Sequence, residues 1–285
     1  MNERTPSIEQ YYQHQDNFYA SVLAKYPDQP QTAVRNHARD GSIKLLDALA
    51  LRDLLIEAKP KAVLEIGSFL GFSTKWILAA TEGSQAKVTS LDPGIIHRIF
   101  DNVADHVREY CATYADRLSQ KRAFLSFANY NLILAEVLRE HNWQGDPVEI
   151  LNALKSIPVI TEPFAKFDFV FVDGDHTYKA TILNVLHAAE MATDGATIVV
   201  HDAISWPQVE PALNDLCRAS GGQLELVTIS GKAPRRVLKP KYEASMTPQS
   251  AALAVNAISD GVGVVRVKST VTNSAAILSK IIMPA

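Results

Sequence analysis

Four acidic residues, Glu65, Asp92, Asp173 and Asp202, each stand at or beside the end of a short run rich in valine, isoleucine, leucine or phenylalanine. Two histidines, His176 and His201, lie beside the last two acids. In an open α/β sheet, ligands sit beyond the carboxyl ends of the strands, where the strand order reverses. Acids at four strand tips therefore mark one ligand-binding edge. Histidine, with a pKa near neutrality, is the natural side chain to take a proton there.

The first of these tips is the richest. Val63-Leu64-Glu65-Ile66-Gly67-Ser68-Phe69-Leu70-Gly71-Phe72-Ser73-Thr74 reads as a buried strand, a glycine-bearing turn and the start of a helix. Gly67 and Gly71 let the backbone approach a ligand and let the helix pack close to the strand. Ser73 and Thr74 are placed to cap the helix and offer N–H groups to an anion. Asp92, at the end of the second strand, is placed to accept ribose hydroxyl protons. The separation of Glu65 and Asp92 is near that of a dinucleotide fingerprint, so a nicotinamide cofactor is one reading. Against it, the loop is Gly-x-x-x-Gly, and Phe69 fills the place of the glycine that would admit a pyrophosphate. The plainest reading is a core strand-turn-helix with an ordinary acidic N-cap.

Positioning these residues requires alternating strands and helices. Helical spacing runs from Ser7 to Tyr26 and from Ser42 to Ala58, with Pro60 ending the second helix. Strands are expected at Ala62–Ile66, Lys87–Leu91, Phe167–Val172, Thr197–Val200, Leu224–Ile229 and Val262–Val267. Helices are expected from Ser73, over Val148–Lys155, over Tyr178–Ala192 and over Gln208–Ala219. The stretch from about 94 to 142 reads as an inserted helical element. This pattern predicts a doubly wound, mostly parallel α/β sheet. Residues 1–60 form a helical N-terminal extension or lid, and 61–285 form the ligand-binding domain. The aromatics Tyr11, Tyr12, Phe18 and Tyr19 suit helix core, a lid or a dimer contact.

Bulk properties exclude several classes. A net charge of -3 gives no general attraction to nucleic acid or anionic membranes. No apolar run is long enough to span a bilayer. Met1 to Asn17 lacks the apolar core of a secretory signal. Cys111 and Cys217 form no metal-binding pair and suit a reducing cytoplasm. Lys232, Arg235, Arg236, Lys239 and Lys241 read as a solvated basic loop, or as a contact for an acidic acceptor.

"LEIGSFLGFSTKWIL" and "FDFVFVDGDHTY…DGATIVVHD" resemble the class I S-adenosylmethionine (SAM) methyltransferases, in the subgroup that includes small-molecule O-methyltransferases. The resemblance is closest from Gly41 to Asp202. It implies a seven-stranded, Rossmann-like sheet whose last strand is inserted antiparallel. It implies that SAM is held by Glu65, Gly67, Ser68, Gly71, Ser73, Thr74, Asp92 and Asp173, with Asp146 at a third acidic corner. It implies a base at His176, where catechol-type relatives carry lysine, with His201 the alternative. In metal-dependent relatives, the positions of Asp173, His201 and Asp202 hold a divalent ion; carboxylates suit Mg²⁺, and a histidine ligand leans toward Mn²⁺ or Fe²⁺. The expected reaction is base-assisted methylation of a hydroxyl on a natural-product, sugar or phenolic acceptor, in the cytoplasm, by a chain able to form a homodimer. An N-methyltransferase and a SAM-binding protein without turnover are the other readings.

Overall fold

The computed structural model describes residues 8–94, 100, 103–126, 128, 130, 131, 134, 147–160, 163–230 and 259–282. Three helices precede the first strand: α1 (Ile8–Lys25), α2 (Gln31–Asp40) and α3 (Leu45–Ala58). Then follow β1 (Ala62–Ile66), α4 (Phe72–Ala80), β2 (Lys87–Asp92), α5 (Val103–Tyr110), β3 (Leu118–Arg122) and α6 (Pro147–Lys155). The chain continues with β4 (Phe167–Val172), α7 (Tyr178–Glu190), β5 (Ala192–His201), α8 (Val209–Ala219), β6 (Leu224–Ser230), β7 (Val262–Val267) and α9 (Ser274–Ile282).

The strands form one seven-stranded sheet in the order β3-β2-β1-β4-β5-β7-β6. All neighbours are parallel except β7, which runs antiparallel to both β5 and β6. Strand side chains alternate between faces, and this chain uses both. Val63, Phe169, Phe171 and Val199 pack with apolar residues of α1–α5. Leu64, Val170, Val172, Ile198 and Val200 pack with those of α7, α8 and α9. The central strands are therefore continuous apolar runs rather than alternating ones.

The N-terminal helices share this core. In α1, Tyr11, Gln15, Phe18 and Val22 fall on one stripe and are buried. Tyr11, Phe72 and Trp76 meet edge to face, with ring centroids 5.7 Å apart in each Tyr11 pair. Two polar tips are satisfied by backbone: the Tyr11 hydroxyl donates to Ile43 O at 2.9 Å, and Trp76 Nε1 donates to Ala48 O at 2.8 Å. Tyr11, Phe18 and Tyr19 are thus core residues.

Several boundaries differ from the sequence expectation. The stretch read as an inserted helical element contains β3, an edge strand whose Leu-Ser-Gln-Lys-Arg sequence lacks the apolar signature of the central strands. β5 begins at Ala192; the Asp194-Gly195 pair lies inside it, where pairing with β4 is irregular and Gly195 has φ +81°. α2 and α9 are additional. Asp146, expected at a third acidic corner, lies outside the described residues, as does the basic loop from Lys232 to Lys241.

Candidate active site

The loop between β1 and α4 is held from beneath. Glu65 is fully buried, and its two carboxylate oxygens accept from the hydroxyls of Ser73 and Thr74, each at 2.6 Å. Burial pushes its pKa up to about 7 against the pull of those two hydroxyls. Ser73 and Thr74 therefore do not cap α4; Gly71 occupies the cap position with φ +87°. Gly67 is also left-handed, at φ +88°, and packs so tightly that a Cβ would lie 2.1 Å from the Asp173 carbonyl oxygen. Asp173 N donates to Ile66 O at 2.8 Å. The glycine loop and the fourth strand tip are thus in direct contact.

Asp92 organises the top of the same loop. Its Oδ2 accepts from the backbone N–H of Ser68 at 2.9 Å and of Phe69 at 3.0 Å, and Oδ1 accepts from Gly94 N–H at 2.7 Å. A carboxylate offers about four acceptor positions, so about one is left for a ligand. The Ser68 hydroxyl is buried without a hydrogen-bond partner. An orphaned hydroxyl in a glycine loop fits a polar ligand seated there.

Two histidines outside the predicted site brace the loop. Nδ1 of His106, on α5, lies 2.8 Å from Leu70 O, and Nε2 of His14, on α1, lies 2.9 Å from Phe72 O. Each carbonyl needs a donor, which fixes the proton on that ring nitrogen. Burial lowers the pKa of both, that of His14 to about 4, so both rings stay neutral.

Beside Gly67 the tips of β4 and β5 bring Asp173, His176, His201 and Asp202 together. One ligand atom from each lies within 4.8 Å of the others. His201 Nδ1 is 2.9 Å from Asp173 Oδ1, and His176 Nε2 is 3.0 Å from Asp202 Oδ2. Local turns aim these groups. Asp175 Oδ1 accepts from Thr177 N–H at 2.8 Å, setting the turn that carries His176 into α7. Asp202 has φ +59°, and Ser205 Oγ donates to its Oδ1 at 2.5 Å. Trp206 stacks on His176 with ring centroids 5.4 Å apart and is 49% exposed.

The electrostatics of the cluster are lopsided. Burial opposes charge on His201, but the carboxylates of Asp173 and Asp202 outweigh it and hold its pKa well above the ordinary value. Burial likewise opposes charge on Asp173, and the His201 and His176 rings hold its pKa below the usual carboxylate range. Asp47 and Asp260 also border His201. Carboxylates therefore outnumber cations around this point. Both Nε2 atoms are buried and lack a well-formed hydrogen bond, although carboxylate oxygens stand 3.0 and 3.4 Å away. Two carboxylates, Asp173 and Asp202, converging with the Nδ1 of His201 are a donor set that fits a divalent cation.

Residues 64–203 match the model of a family described as a methyltransferase domain. Among solved structures, the chain is similar to the O-methyltransferase from Bacillus cereus in complex with SAH, at 16% identity and a TM-score of 0.51, over 90% of this chain and 91% of that one. It is also similar to the O-methyltransferase TomG from Streptomyces achromogenes, involved in tomaymycin synthesis and in complex with SAM, at 16% identity and a TM-score of 0.51, over 94% of this chain and 100% of that one. The chain has the class I fold of the SAM-dependent methyltransferases, and its residues 64–203 carry the match to a methyltransferase domain. No curated protein matches it in sequence. Among the described residues, no helix is long and apolar enough to cross a membrane.

Sequence reasoning missed Asp47, Trp206, His14 and His106. Asp47 carried a usable signal: it is an acid within the apolar stretch Leu45-Leu46-Asp47-Ala48-Leu49. An acid on a buried helix stripe must find partners. The two bracing histidines carried none, since nothing in their neighbouring residues marks the carbonyls they meet.

Proposed function

We propose that the enzyme methylates a hydroxyl of a small-molecule acceptor, with His176 as the base and a divalent cation held by Asp173, His201 and Asp202. The observation that carries the reading is the packing of Gly67 on Asp173, which brings Asp173, His176, His201 and Asp202 directly against the glycine loop. The resemblance of the fold to solved structures named as O-methyltransferases supports it.

SAM supplies a methyl group already activated on sulfur, and a cation at the cluster supplies a lowered pKa and a fixed orientation for the acceptor hydroxyl. The loop from Gly67 to Gly71 holds the donor, with the Ser68 hydroxyl as a free hydrogen-bonding group. With both bound, the acceptor oxygen would take the methyl group as the carbon–sulfur bond gave its electron pair to sulfur, and His176 would accept the hydroxyl proton. His176 suits this role better than His201 because its side chain is 19% exposed against 5%. Trp206 flanks it and offers a flat, half-exposed wall for a ring-bearing acceptor. The chain's two cysteines, Cys111 and Cys217, are free, which suits a cytoplasmic enzyme.

The test is turnover with an acceptor panel of phenols, sugars and amines, followed by mass spectrometry of the products with and without EDTA. Methylated oxygen, lost in EDTA and restored by Mg²⁺ or Mn²⁺, is the expected result. Methylated nitrogen, or turnover indifferent to EDTA, would contradict the respective half of the proposal.

A further inference from the structure

Asp47 comes from α3, far from the strand tips in sequence, yet its carboxylate reaches His201 on the side away from Asp173. It is 1% exposed. Three of its contacts tie α3 to the turn before β7. Oδ1 accepts from the Ser259 hydroxyl and from Gly261 N–H at 3.3 Å, and Oδ2 accepts from Asp260 N–H at 2.7 Å. With about four acceptor positions on a carboxylate, one is left, on Oδ2. The atom facing it is Nε2 of His201, 3.4 Å away.

The two nitrogens of a neutral imidazole are complementary: a proton kept on one leaves a lone pair on the other. Nδ1 of His201 faces Asp173 Oδ1 at 2.9 Å and Asp202 Oδ2 at 3.7 Å. Nε2 faces Asp47. We propose that Asp47 is the positioning residue of the cluster: it keeps the His201 proton on Nε2, so that Nδ1 presents its lone pair to the cation beside Asp173 and Asp202. The inference rests on the cation reading above. Histidine ligands of metals commonly donate their far N–H to a carboxylate in this way, which fixes the tautomer and raises ligand basicity.

A second cation among Asp47, His201 and Asp260 fits less well, because three protein donors already occupy the Asp47 oxygens. The assignment gives the helices before β1 a share in the active site. It also explains why α3 carries a buried acid: the carboxylate joins two segments and aims a third.

The experiment is Mn²⁺ titration followed by electron paramagnetic resonance, on the wild type, Asp47→Asn and Ser259→Ala. Ser259→Ala removes one bond of the Asp47 staple but leaves the face toward His201. Mn²⁺ affinity should fall by about 10- to 100-fold in Asp47→Asn and stay near wild type in Ser259→Ala. Equal affinity in wild type and Asp47→Asn overturns the role of Asp47 while leaving the cation reading standing. No Mn²⁺ binding by the wild type overturns both. If Asp47→Asn does not fold, ¹⁵N resonances of the histidine rings in Mg²⁺-loaded wild type decide the matter. A proton on Nε2 of His201 is the expected tautomer, and a proton on Nδ1 refutes the proposal.

Discussion

Gly67→Ala probes the join between the glycine loop and the histidine–carboxylate cluster. The added Cβ would sit 2.1 Å from the Asp173 carbonyl oxygen and 2.7 Å from its carbonyl carbon. Both are backbone atoms of a parallel strand end, so no side-chain rotation relieves the clash. The backbone at Gly67 has φ +88°, a conformation that costs an L-residue about 1–2 kcal/mol. Overpacking a tight core adds about 1–3 kcal/mol. Together these predict a loss of about 2–5 kcal/mol in urea denaturation. If the fold survives, the strand tips must part by several tenths of an ångström, and Asp173 moves with them. Misplacement on the scale of 1 Å costs about 100-fold in rate. Turnover should therefore collapse together with SAM affinity measured by calorimetry. A variant within 0.5 kcal/mol of wild type that keeps SAM affinity and turnover would refute the reasoning, because the contact would then carry neither strain nor function.

Other outcomes follow from single contacts. Glu65 titrates near 7 in the fold against an ordinary 4.5, so its favourable contribution is complete below about pH 4.5 and is lost as pH rises through about 7. The gap corresponds to about 3 kcal/mol, and Glu65→Gln should flatten the fall in urea stability between pH 5 and pH 8 by that amount; an unchanged pH slope would remove Glu65 as its source. Asp92→Ala frees two backbone N–H groups of the loop, those of Ser68 and Phe69, and should weaken SAM binding, each charge-assisted bond being worth about 1.5–3 kcal/mol; unaltered affinity in calorimetry would show that the loop holds its shape without them. Trp206→Ala should raise the acceptor KM by about 2- to 12-fold, the equivalent of a stacking energy of about 0.5–1.5 kcal/mol, with Trp206→Phe restoring most of it and SAM affinity unmoved. An unchanged KM would exclude Trp206 from the acceptor wall.

Much of this architecture was legible in the residues, and for a physical reason. β1, β4 and the second half of β5 are buried on both faces, so they are written as apolar runs, and the acids in or just after them stand out. β3 escaped because an exposed edge strand needs no such run. The cluster of Asp173, His176, His201 and Asp202 follows once the tips of adjacent strands β4 and β5 are known to be neighbours. Asp47 does not follow, since its approach to His201 depends on how α3 packs over the sheet. The loop itself was half legible: the glycines were readable, but Ser73 and Thr74 turn inward to Glu65 rather than capping α4. Hydroxyls one residue into a helix serve either purpose, and only the buried acid beneath them decides.

Diffraction from crystals grown with SAM and Mn²⁺, collected at the manganese absorption edge, addresses the whole account at once. The account predicts an anomalous peak bounded by Asp173, His201 and Asp202, with adenosyl density along Gly67 to Gly71 and its methyl group facing His176. Manganese bound elsewhere, or nucleoside density away from that loop, would contradict it.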